Sequence, residues 1–342
     1  MKPPSLPTGK ELGLGFDIID IRRFEADDFS TLLEAESQAW YERLRWDFAA
    51  SARVINACLR EQRLSGYALV REGRIRGYCF FFYDGEKSVI GDLFVHPEVS
   101  GLGHEGRLLD HVLETLLATP GLRRIEAQLP HYEREDLQAR FPAPTFQTYL
   151  SRFMRLPLEN SPRAVASGEK PADGREKPAA HADIQLIPWE RRFNDEASDL
   201  LYQAYQHHVD AIINDQYSSL TGSKRLIENI VNLQGCGEFL WRVSRLAVHR
   251  PSQRLAGILA VSGIRPHTAH IPQVAVAGPF QGLGVGTALM EAAFQDLPRQ
   301  GFEEVTLTVT DSNAGAVRLY ERLGFQTFKT FGAFIYSQEE DL

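Results

Sequence analysis

Hydrophobic and polar positions follow the same order in two halves of the chain. Each half has a β-like apolar segment, a polar helical region, β-rich runs, an apolar strand, a glycine-rich turn and an amphipathic helix. The opening segments are residues 16–21 and 184–187, and the β-rich runs are residues 66–83, 239–248 and 255–264. This shared order indicates an internal duplication of a unit of about 150 residues.

The pattern is most regular near the end of the second half. Four-residue steps predict an amphipathic helix whose apolar positions are Val285, Leu289, Ala293 and Leu297. Residues 305–310 then alternate as a strand with one buried face. A short helix follows and ends at Gly324, and its apolar side carries Ala316, Leu319, Tyr320 and Leu323.

A change of composition separates the halves. Residues 159–182 contain no aromatic residue and almost no large aliphatic one, so they cannot bury enough surface to offset the entropy of ordering. We therefore predict a domain over residues 1–158, a flexible linker over 159–182, and a second domain over 183–342.

Composition and charge exclude several classes of protein. The 342 residues are 43% apolar, which suits two domains, and the net charge of −8 argues against nucleic-acid binding. The three cysteines show no metal-binding spacing, and no stretch of about 18 apolar residues occurs. We expect a cytoplasmic protein without a disulfide framework, a metal or a membrane partner.

One glycine-rich turn has the pattern of an anion-binding loop. It comprises Gln281, Gly282, Leu283, Gly284, Val285, Gly286 and Thr287, and it opens the predicted helix after an apolar strand. Such a turn directs backbone N–H groups and the positive end of the helix dipole toward one point, where phosphate binds. Taken alone, the pattern is equally typical of a simple tight turn.

Two motifs around this turn make the second half similar to the GNAT acyltransferases, which move an acyl group from acyl-coenzyme A to an amine. The first motif consists of Gln281, Gly284 and Gly286, and the second of Asn313, Ala316, Tyr320, Gly324 and Phe325. The resemblance covers residues from about 183 to 336 and is tightest over 274–325. It implies an α/β (α+β) chain of two tandem GNAT folds, each a mixed, mostly antiparallel twisted sheet flanked by helices.

The resemblance also implies how the cosubstrate, acetyl-CoA, binds. Its pyrophosphate would contact residues 281–287 without a metal, and its pantetheine arm would run beside the strand containing Val274 and Val276. A backbone N–H near Val276 would polarise the thioester carbonyl. Gly278 and Pro279 either bend this strand away from its neighbour or form a simple turn. Asn313 and Ala316 are also implied as cofactor-binding residues, and Asn313 can cap a helix or bond the pantetheine amides, with the resemblance favouring some of both.

Two residues are candidates for proton transfer. Tyr320 would protonate the departing thiolate, although its spacing also fits a core tyrosine. His270 aligns with a position where some relatives carry a glutamate base, and histidine titrates near neutral pH. His270 also fits an ordinary surface histidine, and Glu238 and Asp210 are alternative bases.

The helical region before the β-rich runs of the second half carries candidate substrate-binding residues. These are Tyr205, Asp210, Asn214 and Tyr217, all of which can bind polar ligands. A helix rich in tyrosine and histidine can equally half-bury its rings for packing alone.

The first half departs from both motifs. Ser100 replaces the motif glutamine, and Glu105 would repel the pyrophosphate from its own helix N-terminus. Residues 141–146 replace the tyrosine helix and contain two prolines, while residues 152–156 still resemble a closing strand. We expect this half to have kept the fold and lost the chemistry.

The combined prediction is an N-acetyltransferase that moves an acetyl group to a primary amine of a small molecule or peptide by direct attack in a ternary complex. Two other classes stay open: a protein that binds acyl-CoA without turnover, and an aminoacyl-tRNA-dependent peptidyltransferase with paired GNAT-like folds. The acidic charge and the intact glycine loop disfavour the latter. Both a monomer and a homodimer are compatible with the sequence.

Overall fold

The computed structural model describes residues 15–160, 183–233 and 236–338. Most of the predicted linker, residues 161–182, lies outside them. The strands are β1 (Asp17–Asp20), β2 (Ser65–Arg71), β3 (Arg74–Asp84), β4 (Lys87–Val95), β5 (Arg124–Gln128), β6 (Gln147–Pro157), β7 (Ile184–Pro188), β8 (Glu238–Phe239), β9 (Arg245–His249), β10 (Arg254–Arg265), β11 (Thr268–Val276), β12 (Glu304–Thr310) and β13 (Gln326–Ser337). The helices are α1 (Ser30–Ala39), α2 (Ala49–Arg60), α3 (His104–Leu117), α4 (Arg134–Leu137), α5 (Asn194–Ala204), α6 (Val209–Ile213), α7 (Leu220–Val231), α8 (Val285–Asp296) and α9 (Ala314–Arg322).

The predicted fold class is confirmed, since helices flank a mixed sheet that is mostly antiparallel. Only the pairs β4–β5 and β11–β12 are parallel among the described strands. The predicted helices after the two glycine-rich turns are α3 and α8, and each buries the apolar face that its spacing predicts. No helix in the described ranges is long and apolar enough to cross a membrane.

The thirteen strands of the described residues belong to one sheet, in which the last strands of the two halves are exchanged. The order is β1-β2-β3-β4-β5-β13-β6-β12-β11-β10-β9-β7, with β8 paired to β10. Strand β13 therefore lies between the first-half strands β5 and β6, and β6 lies between β13 and the second-half strand β12. The strand expected at residues 152–156 is present, but both of its partners come from the second half.

The exchanged strands carry apolar side chains into the opposite core. Met154 and Leu156 of β6 are fully buried in the core that α8 covers. In return, Phe334 of β13 is buried in the core that α3 covers, where its ring stacks on Phe141 at 3.9 Å. Each half therefore completes the hydrophobic core of the other.

The sheet opens along β11 where the predicted cofactor strand lies. Strand β11 pairs with β12 only from Thr268 to Ile271, and its remaining residues have a partner only in β10. At this point β11 has a bulge, because Ile271 and Pro272 together face the single residue Val261. Gly278 and Pro279 form a turn, which is one of the two interpretations given above. They do not separate the strands, because β11 and β12 already part at Pro272.

Candidate active site

The glycine-rich turn of the second half forms an open cradle of backbone donors. Gly282 and Gly284 adopt φ values of 75° and 81°, a conformation that side chains with a Cβ rarely adopt. The first intrahelical bond of α8 runs from the Ala288 N–H to the Gly284 carbonyl at 3.0 Å. The N–H groups of the three residues between them therefore have no acceptor in the helix and are available to an anion.

The open edge of β11 offers backbone groups next to this cradle. The Ala277 N–H donates to Ala256 of β10, so alternation along the strand points the N–H groups of Val274 and Val276 to the opposite edge. No described strand pairs with that edge beyond Ile271. The Gln281 side chain donates to the Val276 carbonyl at 3.0 Å and connects the cradle to the end of the strand.

Helix α9, which carries the second motif, packs beside the glycine-rich turn, where Leu319 would lie 3.7 Å from a Cβ on Gly286. The Asn313 side chain caps α9 by accepting from the Ala316 N–H at 3.2 Å, which is the capping role predicted for it. Tyr320 lies one turn further along and is 6% exposed. Burial raises the pKa of its hydroxyl, and the negative charge of Asp210 raises it further, so the phenol keeps its proton at neutral pH.

Tyr205 and Tyr217 form an aromatic wall of the candidate site, on the face of the sheet opposite to Tyr320. Their rings stack with centroids 4.2 Å apart. Gln273 of β11 donates to the Tyr205 hydroxyl at 2.8 Å and accepts from the Tyr217 hydroxyl at 2.9 Å. Burial raises the pKa of both hydroxyls, so both stay neutral.

Asp210 is the acidic group near Tyr320, Tyr205 and Tyr217, and we call these four residues with Gln273 and Thr310 the cluster. Its carboxylate accepts from the Thr310 hydroxyl at 2.5 Å and lies 3.4 Å from the Nδ1 atom of His208. The fourth substrate candidate, Asn214, uses its side-chain oxygen to cap a turn by accepting from the Gln216 N–H at 3.0 Å. The structure therefore brings Tyr205, Asp210 and Tyr217 together beside Tyr320, while Asn214 shapes the backbone.

His270 lies in the interior, which disagrees with its predicted role as the base. Its Nδ1 atom bonds the Thr306 hydroxyl at 3.0 Å, and its ring contacts Trp46 and Phe153. Burial lowers its pKa to about 3, so it cannot hold a proton at neutral pH. The alternative base Glu238 is exposed on the short strand β8, whereas Asp210 lies within the cluster.

Two residues of the cluster were not among the sequence candidates. Gln273 is a buried polar residue within an apolar strand, and Thr310 ends an alternating strand. A buried amide among aliphatic neighbours needs hydrogen-bond partners, and this is the signal that could have singled out Gln273. Thr310 carries no comparable signal.

The equivalent turn of the first half has the same backbone shape but contains its own anion. Gly101 and Gly103 adopt φ values of 78° and 81°. The Glu105 carboxylate accepts from the Gly101 N–H at 2.9 Å and from the Ser100 hydroxyl at 2.7 Å. A carboxylate of the chain itself therefore occupies part of this turn.

Metal chemistry has no visible site in the part of the chain that the structure describes. No group of three or more His, Cys, Asp or Glu side chains is placed there to hold a metal ion. The donors in the second-half cradle are backbone N–H groups, which bind anions without a metal.

Comparison with solved structures supports the same fold. A tandem GNAT protein from the clavulanic acid biosynthesis pathway superposes with a TM-score of 0.61 at 17% identity, covering 95% of this chain and all of that one. A GCN5-related N-acetyltransferase from Sphaerobacter thermophilus gives a TM-score of 0.62 at 18% identity, covering 97% of this chain and 99% of that one. At such identities the likeness concerns the fold.

Sequence comparison finds curated acetyltransferases. An N-alpha-acetyltransferase of Sulfurisphaera tokodaii is 37% identical over 73 residues, which are 21% of this chain and 43% of the relative. A mycothiol acetyltransferase of Paenarthrobacter aurescens is 40% identical over 68 residues, 20% of this chain and 21% of the relative. The chain thus spans less than half the length of these relatives.

The family model described as Acetyltransferase (GNAT) family matches residues 19–139 and 201–325, one region in each half and together more than half of the chain. These regions contain both glycine-rich turns, and the second contains Tyr320. The chain belongs to the GNAT acetyltransferase family.

Proposed function

We propose that the second half transfers an acetyl group from acetyl-CoA to a primary amine by direct attack, and that the first half does not bind this cosubstrate. One observation carries the proposal: the two glycine-rich turns have the same backbone shape, but they differ in whether a carboxylate of the chain bonds them. The first contains the Glu105 carboxylate, whereas the second has Gly286 at the equivalent position and leaves its N–H groups available.

The residues of the second turn fit the cosubstrate. In the first turn a carboxylate bonds the Gly101 N–H, which corresponds to the Gly282 N–H, and this supports the binding of an anionic pyrophosphate at residues 281–287. The backbone edges of Val274 and Val276 would hold the pantetheine arm like an added strand. Acetyl-CoA, when bound, supplies the acetyl group as a thioester.

Tyr320 and the Val276 N–H would act on the two ends of the reacting group. The N–H stabilises the negative charge that develops on the carbonyl oxygen during attack. The Tyr320 hydroxyl donates its proton to the departing sulfur, and its raised pKa keeps that proton available at neutral pH.

Asp210 is the group that would receive the amine. Its carboxylate attracts a protonated amine, which releases one proton to solvent to become the neutral nucleophile. Asp210 then accepts the second proton, which the amine loses as the amide forms, and its charge acts on Tyr320. The proton can then return from Asp210 to the Tyr320 phenolate. The net reaction converts amine and thioester into amide and free thiol, with no proton gained or lost by the protein.

The acceptor class that fits is a small-molecule or peptide amine. Beside Asp210, the stacked rings of Tyr205 and Tyr217 offer an aromatic wall with neutral hydroxyls. The names of the two curated relatives point to different acceptors, so they favour acetyl transfer rather than one particular amine.

The test is steady-state release of free thiol from acetyl-CoA with a panel of primary amines. Tyr320→Phe should lower kcat by about 10²–10⁴, typical of a lost general acid, and leave acetyl-CoA affinity nearly unchanged. Asp210→Asn should lower kcat/KM for the amine and likewise spare acetyl-CoA binding. Near-native kcat in Tyr320→Phe, where chemistry limits the rate, would refute the acid role. Tight acetyl-CoA binding without turnover on any amine would favour a binding module.

A further inference from the structure

One short segment of the second half has contacts on two sides. Helix α6 and the following turn, Asp215–Tyr217, carry Asp210 and Tyr217 on the side of the candidate active site. There Asp210 bonds Thr310 and Tyr217 bonds Gln273. We call residues 209–217 the acceptor segment.

The other side of the acceptor segment contacts the first half. The Lys87 ammonium of β4 lies 2.5 Å from the Asp215 carboxylate. The Asp215 N–H donates to the Glu126 carboxylate of β5 at 3.2 Å, and the Arg124 guanidinium donates to the Ile212 carbonyl. Three residues of the first half therefore bind this segment through both its backbone and its side chains.

Two of the first-half side chains are shielded from solvent, whereas the Asp215 carboxylate that Lys87 contacts is 38% exposed. The side chains of Lys87 and Glu126 are 11% and 9% exposed, and Arg124 bonds Glu126 at 2.6 Å. Removing one partner of such a network leaves the others buried without their counter-charge, which costs more than losing an exposed ion pair. The network can therefore fix the position of the segment.

The segment has little means of holding itself in place. Helix α6 is only five residues long, and isolated helices this short are not stable in water. Ile213, its one buried residue, packs against Ala333 and Ile335 of β13, which lies beside β5 because of the strand exchange. The position of Asp210 thus depends on its bond to Thr310, on the packing of Ile213 against β13 and on the contacts with the first half.

We propose that the first half positions the acceptor side of the second-half active site, with Lys87, Arg124 and Glu126 as positioning residues. The inference rests on the proposed acetyl transfer, because it gives this segment the task of orienting the amine. A displacement of about 1 Å in such a group is enough to reduce the rate strongly. The first half would then be needed for reaction with the amine and not for acetyl-CoA binding.

Hydrogen exchange on the full-length protein tests the positioning directly. In Lys87→Met, peptides that cover residues 209–217 should exchange roughly tenfold faster or more, because the segment opens locally at lower cost. Lys87→Arg should restore most of the protection. Lys329→Met is the matched control, since Lys329 is 17% exposed and pairs with Glu133 across the halves at 2.9 Å, away from the segment.

A kinetic comparison uses the same variants with spermidine, glucosamine and a tetrapeptide with a free α-amine as probes. Lys87→Met should lower kcat/KM for the accepted amine roughly tenfold or more while the KM for acetyl-CoA changes less than about twofold. If Lys87→Met does not fold, Glu126→Gln takes its place, because it removes one charge without changing the size of the side chain.

Each outcome decides a different claim. Unchanged exchange in residues 209–217, or an equal increase in Lys329→Met, would overturn the positioning role. A parallel loss of acetyl-CoA affinity in Lys87→Met would also overturn it. Failure of the wild type to acetylate any amine would count against the proposed function alone, because the exchange measurement needs no substrate.

Discussion

Gly286 and Glu105 occupy equivalent positions, one residue into the helix that follows each glycine-rich turn. The absence of a side chain at Gly286 leaves the cradle open, and the carboxylate at Glu105 fills the corresponding space by bonding Gly101. The sequence predicted repulsion of a phosphate at Glu105. The structure adds a physical reason, since the Gly101 N–H, one of the backbone donors of this turn, already bonds a carboxylate.

His270 shows how burial changes the chemistry of a residue type. Alignment with a strand position predicted a base, but an alignment does not reveal that Trp46 of the first half covers this ring. Because the pKa of His270 is lowered in the folded protein, this residue makes the folded state less stable in acid. Between about pH 3 and about pH 6.5 the unfolded chain binds a proton here and the folded chain does not.

His270→Phe should therefore change the pH dependence of stability. The wild-type free energy of unfolding loses a contribution as the pH falls below about 6.5, and the variant lacks this loss. When the pH is lowered from about 7.5 to about 5, the free energy of unfolding of the variant should rise by about 2 kcal/mol relative to that of the wild type. Urea unfolding at both pH values measures it. A difference between the two proteins that is the same at both pH values would contradict the buried neutral imidazole.

At the scale of elements, the period of apolar residues predicted the helices and strands near the site well. The spacing of Val285, Leu289 and Ala293 predicted α8, and the alternation over residues 305–310 predicted β12. The partners of β6 and β13 were not predictable, because alternation defines the face that a strand buries and not the strand beside it. The acceptor segment was predicted as part of a helical region that carries the substrate-binding candidates Asp210, Asn214 and Tyr217, but its contacts with the first half were not predicted.

The strand exchange predicts energetic coupling between residues far apart in the chain. Phe334→Ala should cost about 3–5 kcal/mol of unfolding free energy, the usual range for a buried phenylalanine. Phe141→Ala should cost less in the presence of Phe334→Ala than alone, because the stacked rings lose their contact only once. Urea unfolding of both single variants and the double variant gives the coupling, expected at about 0.5–1.5 kcal/mol. Additive losses would contradict the observed stacking across halves.

At the scale of the whole molecule, the two halves contact each other reciprocally. The acceptor segment of the second half lies on β4 and β5 of the first. Residues after α1 of the first half lie on β11 and β12 of the second, where Arg45 pairs with Glu304 at 2.9 Å and Trp46 packs on His270. Duplication thus left two similar sheets joined as one, with open backbone donors in the turn of the second half and a carboxylate in the turn of the first.

The most direct test of this account is calorimetric titration of the full-length protein with acetyl-CoA. We expect one molecule bound per chain in the wild type and in Glu105→Gly, because the first half also lacks the tyrosine helix. Gly286→Glu should weaken binding roughly 100-fold by placing a carboxylate in the cradle. Gly286→Ala is the matched control, since a Cβ there would lie 3.6 Å from Val276 and 3.7 Å from Leu319, which are ordinary contacts. Two molecules bound per wild-type chain, or undiminished affinity in Gly286→Glu, would contradict the account.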